Sequence, residues 1–193
     1  MRRPVHRHRH VQRRRIFVGC EGESERGYIA FVSNTLATVH LGVHLDAKVL
    51  RPGGGDPLAL VQVASAIIDR EQRNREPYER KFVILDADKL GMTPARDQQA
   101  RDLAARIGAA LIWQDKAHEA LLLRHLVGCG NLRPATTALA EQQLKQRWPE
   151  YEKPMSAMAL ARRLDIEALR RASLAEPDLL AFLNEIGMFP PTP

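Results

Sequence analysis

Apolar and polar positions alternate along this chain in two rhythms. The runs Ile16-Phe17-Val18-Gly19-Cys20 and Phe82-Val83-Ile84-Leu85 lack charged side chains and read as strands buried on both faces, the pattern of a parallel sheet covered by helices. Val43, Leu45, Ala47 and Val49 recur with period two, which predicts another strand near 43–50, closer to a sheet edge. A short fourth strand runs from Ala109 to Trp113. Between these runs the spacing turns helical. Tyr28, Phe31, Val32 and Thr35 share one side of a helix over about 24–38. Leu60, Val61, Ala64, Ile67 and Ile68 stripe a helix that Asp56 caps and Pro57 opens. Helices over roughly 94–107 and 116–127 complete an alternation of strand and helix, which means βα units and an α/β fold with a largely parallel, Rossmann-like sheet.

Strand patterns stop after Gly128-Cys129-Gly130-Asn131. Helical spacing follows over 134–147, 155–164, 166–176 and 177–187, punctuated by Pro149, Pro154 and Pro177. The expected organisation is a basic N-terminal arm at 1–13, an α/β domain at 14–130, and a helical C-terminal appendage at 131–193 packed on that body.

Composition narrows the partners. The net charge of +6 is concentrated in residues 1–15, which hold seven arginines and no acid, so the remainder carries −1. Basicity therefore belongs to the arm, which reads either as a phosphate-binding segment or as a solubilising tail. Aliphatic residues dominate the 45% hydrophobic content, enough for a core without staples. Cys20 falls inside a buried strand and Cys129 far away, so a disulfide framework is not expected and a reducing cytoplasm is. No apolar stretch reaches the ~20 residues needed to span a bilayer, so no membrane partner is expected.

The candidate chemistry is acidic. Glu21 follows the first apolar run, and Asp86 and Asp88 end the third, at the strand tips where parallel sheets gather ligands. Carboxylates brought together repel unless a proton or cation separates them. Glu119 precedes Leu122, Leu123 and Leu126 by three, four and seven positions, which places it on a core-facing stripe where a carboxylate needs a partner. Glu25 lies one helical turn from Glu21. Glu23 reads more simply as an acid complementing a helix N-terminus. Oxygen donors with no His or Cys among them suit Mg²⁺ or Mn²⁺, ions that serve phosphoryl chemistry. Lys89 and Lys116 flank this edge and are candidate phosphate contacts or ordinary surface lysines.

The segment Cys20-Glu21-Gly22-Glu23-Ser24-Glu25-Arg26-Gly27-Tyr28 resembles the opening motif of RloB-like proteins, which carry a Toprim domain. Pro52-Gly53-Gly54-Gly55-Asp56-Pro57, Asp86-Ala87-Asp88 and His118-Glu119-Ala120-Leu121-Leu122-Leu123-Arg124-His125 continue the resemblance in order. His118 stands where the family has Phe, Ala120-Leu121 replace its bulky Trp position, and Ser24 replaces a common Thr. The resemblance implies a four-stranded parallel Toprim sheet with the metal held by Glu21, Asp86 and Asp88, supported by Glu25 and Glu119. Pro149-Glu150-Tyr151-Glu152-Lys153 is similar to the family's Tyr-x-Lys segment, which makes Lys153 a phosphate or transition-state contact. The implied activity is Mg²⁺- or Mn²⁺-dependent cleavage of DNA or RNA in defence against phage or foreign DNA, with a partner ATPase and a homodimer as candidate protein partners. Two other classes compete: a non-catalytic nucleic-acid-binding or regulatory subunit, and a primase-like polymerase.

Other features have plainer readings. His6, His8 and His10 sit in the arm, where any metal site would be loose, and Gly53-Gly54-Gly55 lacks the Lys-Ser/Thr of a P-loop. The pairs Arg162-Arg163 and Arg170-Arg171 lie two helical turns apart and suit either a nucleic-acid backbone or salt bridges with Asp165 and Glu167. Trp113 and Trp148 read as core.

Overall fold

The computed structural model describes residues 13–39, 42–51 and 55–189. The expectations placed on the N-terminal arm through residue 12, its histidines included, and on Pro52-Gly53-Gly54 lie outside the described residues. The elements run β1 (Arg14–Cys20), α1 (Glu23–Val39), β2 (Val43–Val49), α2 (Pro57–Gln72), β3 (Arg80–Asp86), α3 (Pro94–Arg106), β4 (Ala109–Gln114) and α4 (His118–His125). They continue with α5 (Thr137–Arg147), α6 (Ala157–Ala161), α7 (Ile166–Ala175) and α8 (Pro177–Glu185). The four strands form one parallel sheet in the order β2-β1-β3-β4, flanked by helices: an α/β, Rossmann-like architecture.

Side-chain alternation along β1 builds the layers. Ile16, Val18 and Cys20 join α1, α4 and the C-terminal helices in one hydrophobic cluster, while Phe17 joins α2 in another on the opposite face. Gly19 shares that second face, where a Cβ would come within 3.1 Å of Leu50 and 3.2 Å of Phe17. Helices α5, α7 and α8 contribute Leu144, Leu169, Phe182 and Leu183 to the same cluster as β1 and α1. Phe182 of α8 stacks edge-on against Phe82 of β3 at 5.0 Å, an anchor worth roughly 3–5 kcal/mol against truncation to Ala. β2 is an edge strand, in keeping with its half-polar alternation. At the other edge, Asp178 of α8 accepts the Trp113 backbone N–H of β4 at 3.0 Å. Trp148 is buried and Trp113 partly so.

Several helices are shorter than their spacing predicts, α4 and α6 most of all. α4 begins only at His118 because Lys116 takes a positive φ of 70°, and it stops when Leu126 turns extended. α6 has five residues because Asp165 caps a new helix, accepting the Ala168 N–H at 2.8 Å, and the chain must turn before it. Cys20 and Cys129 are buried free thiols. Among the described residues no helix is long and apolar enough to cross a membrane.

The sheet order has one functional consequence. From β1 the chain runs outward to β2, then crosses back over β1 to β3, so the winding reverses between β1 and β3. In open α/β sheets the crevice beyond the carboxyl ends of such a strand pair is where ligands bind. Glu21 and Asp86 are the residues at that point.

Candidate functional site

Each carboxylate reaches the switch point from its own element. Glu21 is the residue after β1, and its Oε2 accepts the backbone N–H of Asp86 at 3.3 Å, tying the two strand tips together. Glu25, in the first turn of α1, is 6% exposed and accepts the Gly22 N–H at 2.9 Å. Asp86 closes β3. Its Oδ1 is buried and has no hydrogen-bond partner among the described residues. Asp88 is two residues on and exposed. Glu119 opens α4, every residue of which is buried, and is 2% exposed.

Electrostatics couples these groups. The Asp86 carboxyl is pushed up to about 8, first by burial and then by the negative charges of Glu25, Glu21, Glu119 and Asp88. Burial also raises Glu21, with Glu25 and Asp88 adding repulsion; the Asp86 N–H and the Lys89 charge oppose it. Four of the sequence-predicted acids therefore act on the fifth, Asp86. Glu23 stands apart, paired with Arg26 at 2.6 Å and Arg51 at 2.5 Å, a helix-start acid already matched by cations.

Lys153 meets this cluster through Glu119. Its Nζ lies 2.6 Å from Glu119 Oε1 and 3.7 Å from Glu141. Burial works against the ammonium, but the Glu119 hydrogen bond and the charges of Glu119, Glu141 and Asp86 outweigh it and raise its pKa. Tyr151 O–H donates to the same Glu119 oxygen at 2.9 Å. Tyr151 was not predicted as a site residue, although it is the tyrosine of the Tyr-x-Lys segment. Gly27 was not predicted either. A Cβ there would overlap the Met155 carbonyl oxygen, so only glycine lets the strap carrying Tyr151 and Lys153 lie against α1.

Behind the acids lies a neutral polar layer. His125 Nδ1 faces the Leu121 carbonyl at 2.9 Å and must donate, which leaves Nε2 to accept the Tyr28 O–H at 3.0 Å. Burial drives His125 down to about 4 and lowers His118 as well, the latter against the pull of Glu25 and Glu119. No spacing signal distinguishes these histidines from surface ones.

The donor set is all oxygen, and the orphaned Asp86 Oδ1 among four like charges is the group a hard divalent cation would satisfy. In this respect Glu21, Glu25, Asp86 and Asp88 fit Mg²⁺ or Mn²⁺. Their arrangement is not a finished cage: among the described residues no three His, Cys, Asp or Glu side chains are grouped to hold an ion. No family model, curated protein or solved structure matches this chain. The assignment of function therefore stands on the residues and their geometry.

Proposed function

We propose that the protein is a Mg²⁺- or Mn²⁺-dependent nuclease of the RloB-like Toprim type, hydrolysing phosphodiester bonds in DNA or RNA. The observation that carries this reading is the convergence of four carboxylates on Asp86, whose buried oxygen has no partner among the described residues. The motif resemblance supports it. Glu21, Asp86 and Asp88 would hold the metal, with Glu25 and Glu119 beside them. When bound, the ion would supply a Lewis acid for the phosphate and lower the pKa of an attacking water. Glu21, whose pKa is raised by burial, would be the group to accept a proton from the attacking water. Glu119, which also accepts the Tyr151 O–H, holds Lys153, whose partly exposed ammonium would meet developing negative charge on the phosphate. The two buried thiols suit a reducing, cytoplasmic setting. A defence role and a partner ATPase follow from the resemblance alone.

Incubation of mixed DNA and RNA with Mn²⁺ or Mg²⁺ tests the reading. Glu21→Ala and Asp86→Ala are expected to lower cleavage by about 10³-fold or more with the fold retained. Undiminished cleavage by either variant overturns it. A second reading, a non-catalytic nucleic-acid-binding or regulatory subunit, is favoured by the open arrangement of the acids. No cleavage by the wild type, together with no Mn²⁺ binding at the acids, would select it.

A further inference from the structure

Three arginines from separate segments surround one cavity at the far end of α4. Arg147, Arg163 and Arg171 line it with His125, Val127 and Cys129, enclosing about 380 Å³. Each guanidinium is aimed by a backbone carbonyl. Arg171 Nε and Nη2 donate to the His125 carbonyl at 3.2 and 3.0 Å, and Arg163 Nη2 donates to the Arg147 carbonyl at 3.1 Å. Arg147 Nη1 donates to the Gln143 carbonyl of its own helix at 3.2 Å. Cations suit the carbonyl ends of helices, so one role of these arginines is to close α4 and α5.

That role leaves their charge unmatched. A guanidinium has five N–H donors, and the remaining ones on these three side chains make no hydrogen bond among the described residues. None of the three forms an ion pair with a carboxylate among those residues, whereas Arg14, Arg26, Arg51, Arg80, Arg96 and Arg124 all do. Three like charges facing one cavity repel, and an anion relieves the repulsion. Their planar forks match the paired oxygens of a phosphate.

We propose that this cavity is a phosphate-binding site that takes a backbone phosphate of a nucleic acid strand. Glu119 and His125 are six residues apart on α4, about 9 Å along its axis at 1.5 Å per residue, so the cavity lies at the end of α4 opposite the Glu119 carboxylate. The phosphate assignment rests on the arginines alone; the choice of a polynucleotide over a small phosphoanion rests on the proposed nuclease function. Val127, 80% exposed at this end of α4, offers apolar surface beside the phosphate.

The test uses the full chain in EDTA, so that no metal-dependent cleavage intrudes. Fluorescence anisotropy with a labelled 12-nucleotide single strand compares wild type, Arg147→Gln/Arg163→Gln, and a control, Arg162→Gln/Arg170→Gln, whose side chains do not line the cavity. The cavity variant is expected to bind about tenfold more weakly, with the slope of log K against log salt reduced by about 0.7, the value for one lost phosphate contact on a single strand, while the control stays within twofold. Circular dichroism verifies that both variants fold. Equal weakening by the control reduces the effect to diffuse charge and overturns the site. In a second arm, pyrophosphate is expected to raise the melting temperature of wild type but not of the cavity variant. That result with unchanged oligonucleotide binding overturns the polynucleotide assignment, and no difference in either arm overturns the site. Wild-type cleavage in Mn²⁺ is scored separately, so failure of the nuclease reading leaves the EDTA result standing.

Discussion

Helix α4 is buried along its whole length, yet its two ends treat charge in opposite ways. At its C-terminal end Arg124 is fully buried, 2.7 Å from Glu176 and 3.0 Å from Asp115, and donates to the Leu132 carbonyl at 3.1 Å. Burial pushes Glu176 up and Arg124 down, and the opposite charge of each opposes that shift in the other without reversing it; Arg124 Nη1 and Glu176 Oε1 meet as an ion pair and not in hydrogen-bond geometry. At the N-terminal end Glu119 has Lys153 and Tyr151, but Asp86 nearby has four negative neighbours and an unpartnered oxygen. A carboxylate that serves structure arrives with its cation in the chain. One held beside other carboxylates, without such a partner, is stable only with a proton or an ion. The difference separates a structural clamp from a site.

Breaking the clamp is expected to have the largest effect on stability. Arg124→Ala leaves Glu176 buried without its cation and is expected to cost roughly 3–5 kcal/mol, read as a fall in the urea midpoint. Replacing both partners, Arg124→Met with Glu176→Leu, is expected to recover most of that loss. If the single and double variants are equally unstable, the pair is not what holds this end of α4.

Gly27→Ala tests the coupling of the strap to the rim. Displacing the Met155 carbonyl is expected to cost about 1–3 kcal/mol and to move Lys153 and Tyr151 away from Glu119. Cleavage should fall more than metal affinity does, because the acids stay in place. Mn²⁺ titration beside a cleavage assay checks that split.

The smallest effects concern pH, and here the two regions oppose one another. Asp86 ordinarily titrates at 3.8 and is raised to about 8, so its folded form holds a proton that the unfolded chain has lost. Its contribution is complete below about pH 4 and disappears as pH rises through 8. Metal-free Asp86→Asn is therefore expected to be more stable than wild type at pH 9, by about 1–2 kcal/mol after allowance for solvent screening, and to gain nothing from Mg²⁺. His125 runs the other way. Lowered from 6.5 to about 4, it contributes stability above pH 6.5 that is lost as pH falls toward 4. Thermal melts from pH 4 to 9, with and without EDTA, separate the two. A flat metal-free profile between pH 6 and 9, identical in Asp86→Asn, would show that the neighbouring carboxylates do not burden Asp86.

Much of this arrangement can be read from local pattern. The uninterrupted run of β3 and its Asp-x-Asp ending set Asp86 at a strand tip, because two-sided burial leaves no room for polar side chains before that point. The leucines after Glu119 mark it as inward-facing, and it is buried. The half-polar alternation of Val43–Val49 marks β2 as an edge, and an edge it is. The same reasoning fails for the rest of α4. A single stripe implies an outer face, whereas α5 and α7 cover that face too, so Arg124 and His125 are interior residues that no periodicity announces. Likewise α6 shrinks to five residues because a cap at Asp165 competes with helix continuation.

By itself, then, the order of residues determined the βα alternation, the strand tips on which the acids stand, and the helices of the C-terminal third, since periods of two and of 3.6 are properties of neighbouring residues. Folding in three dimensions decided which charges meet. It set Glu176 against Arg124, Lys153 and Tyr151 against Glu119, four carboxylates against Asp86, and three arginines around one cavity. Those pairings join residues tens of positions apart, and Coulomb's law acts on distance in space, to which separation along the chain is no guide.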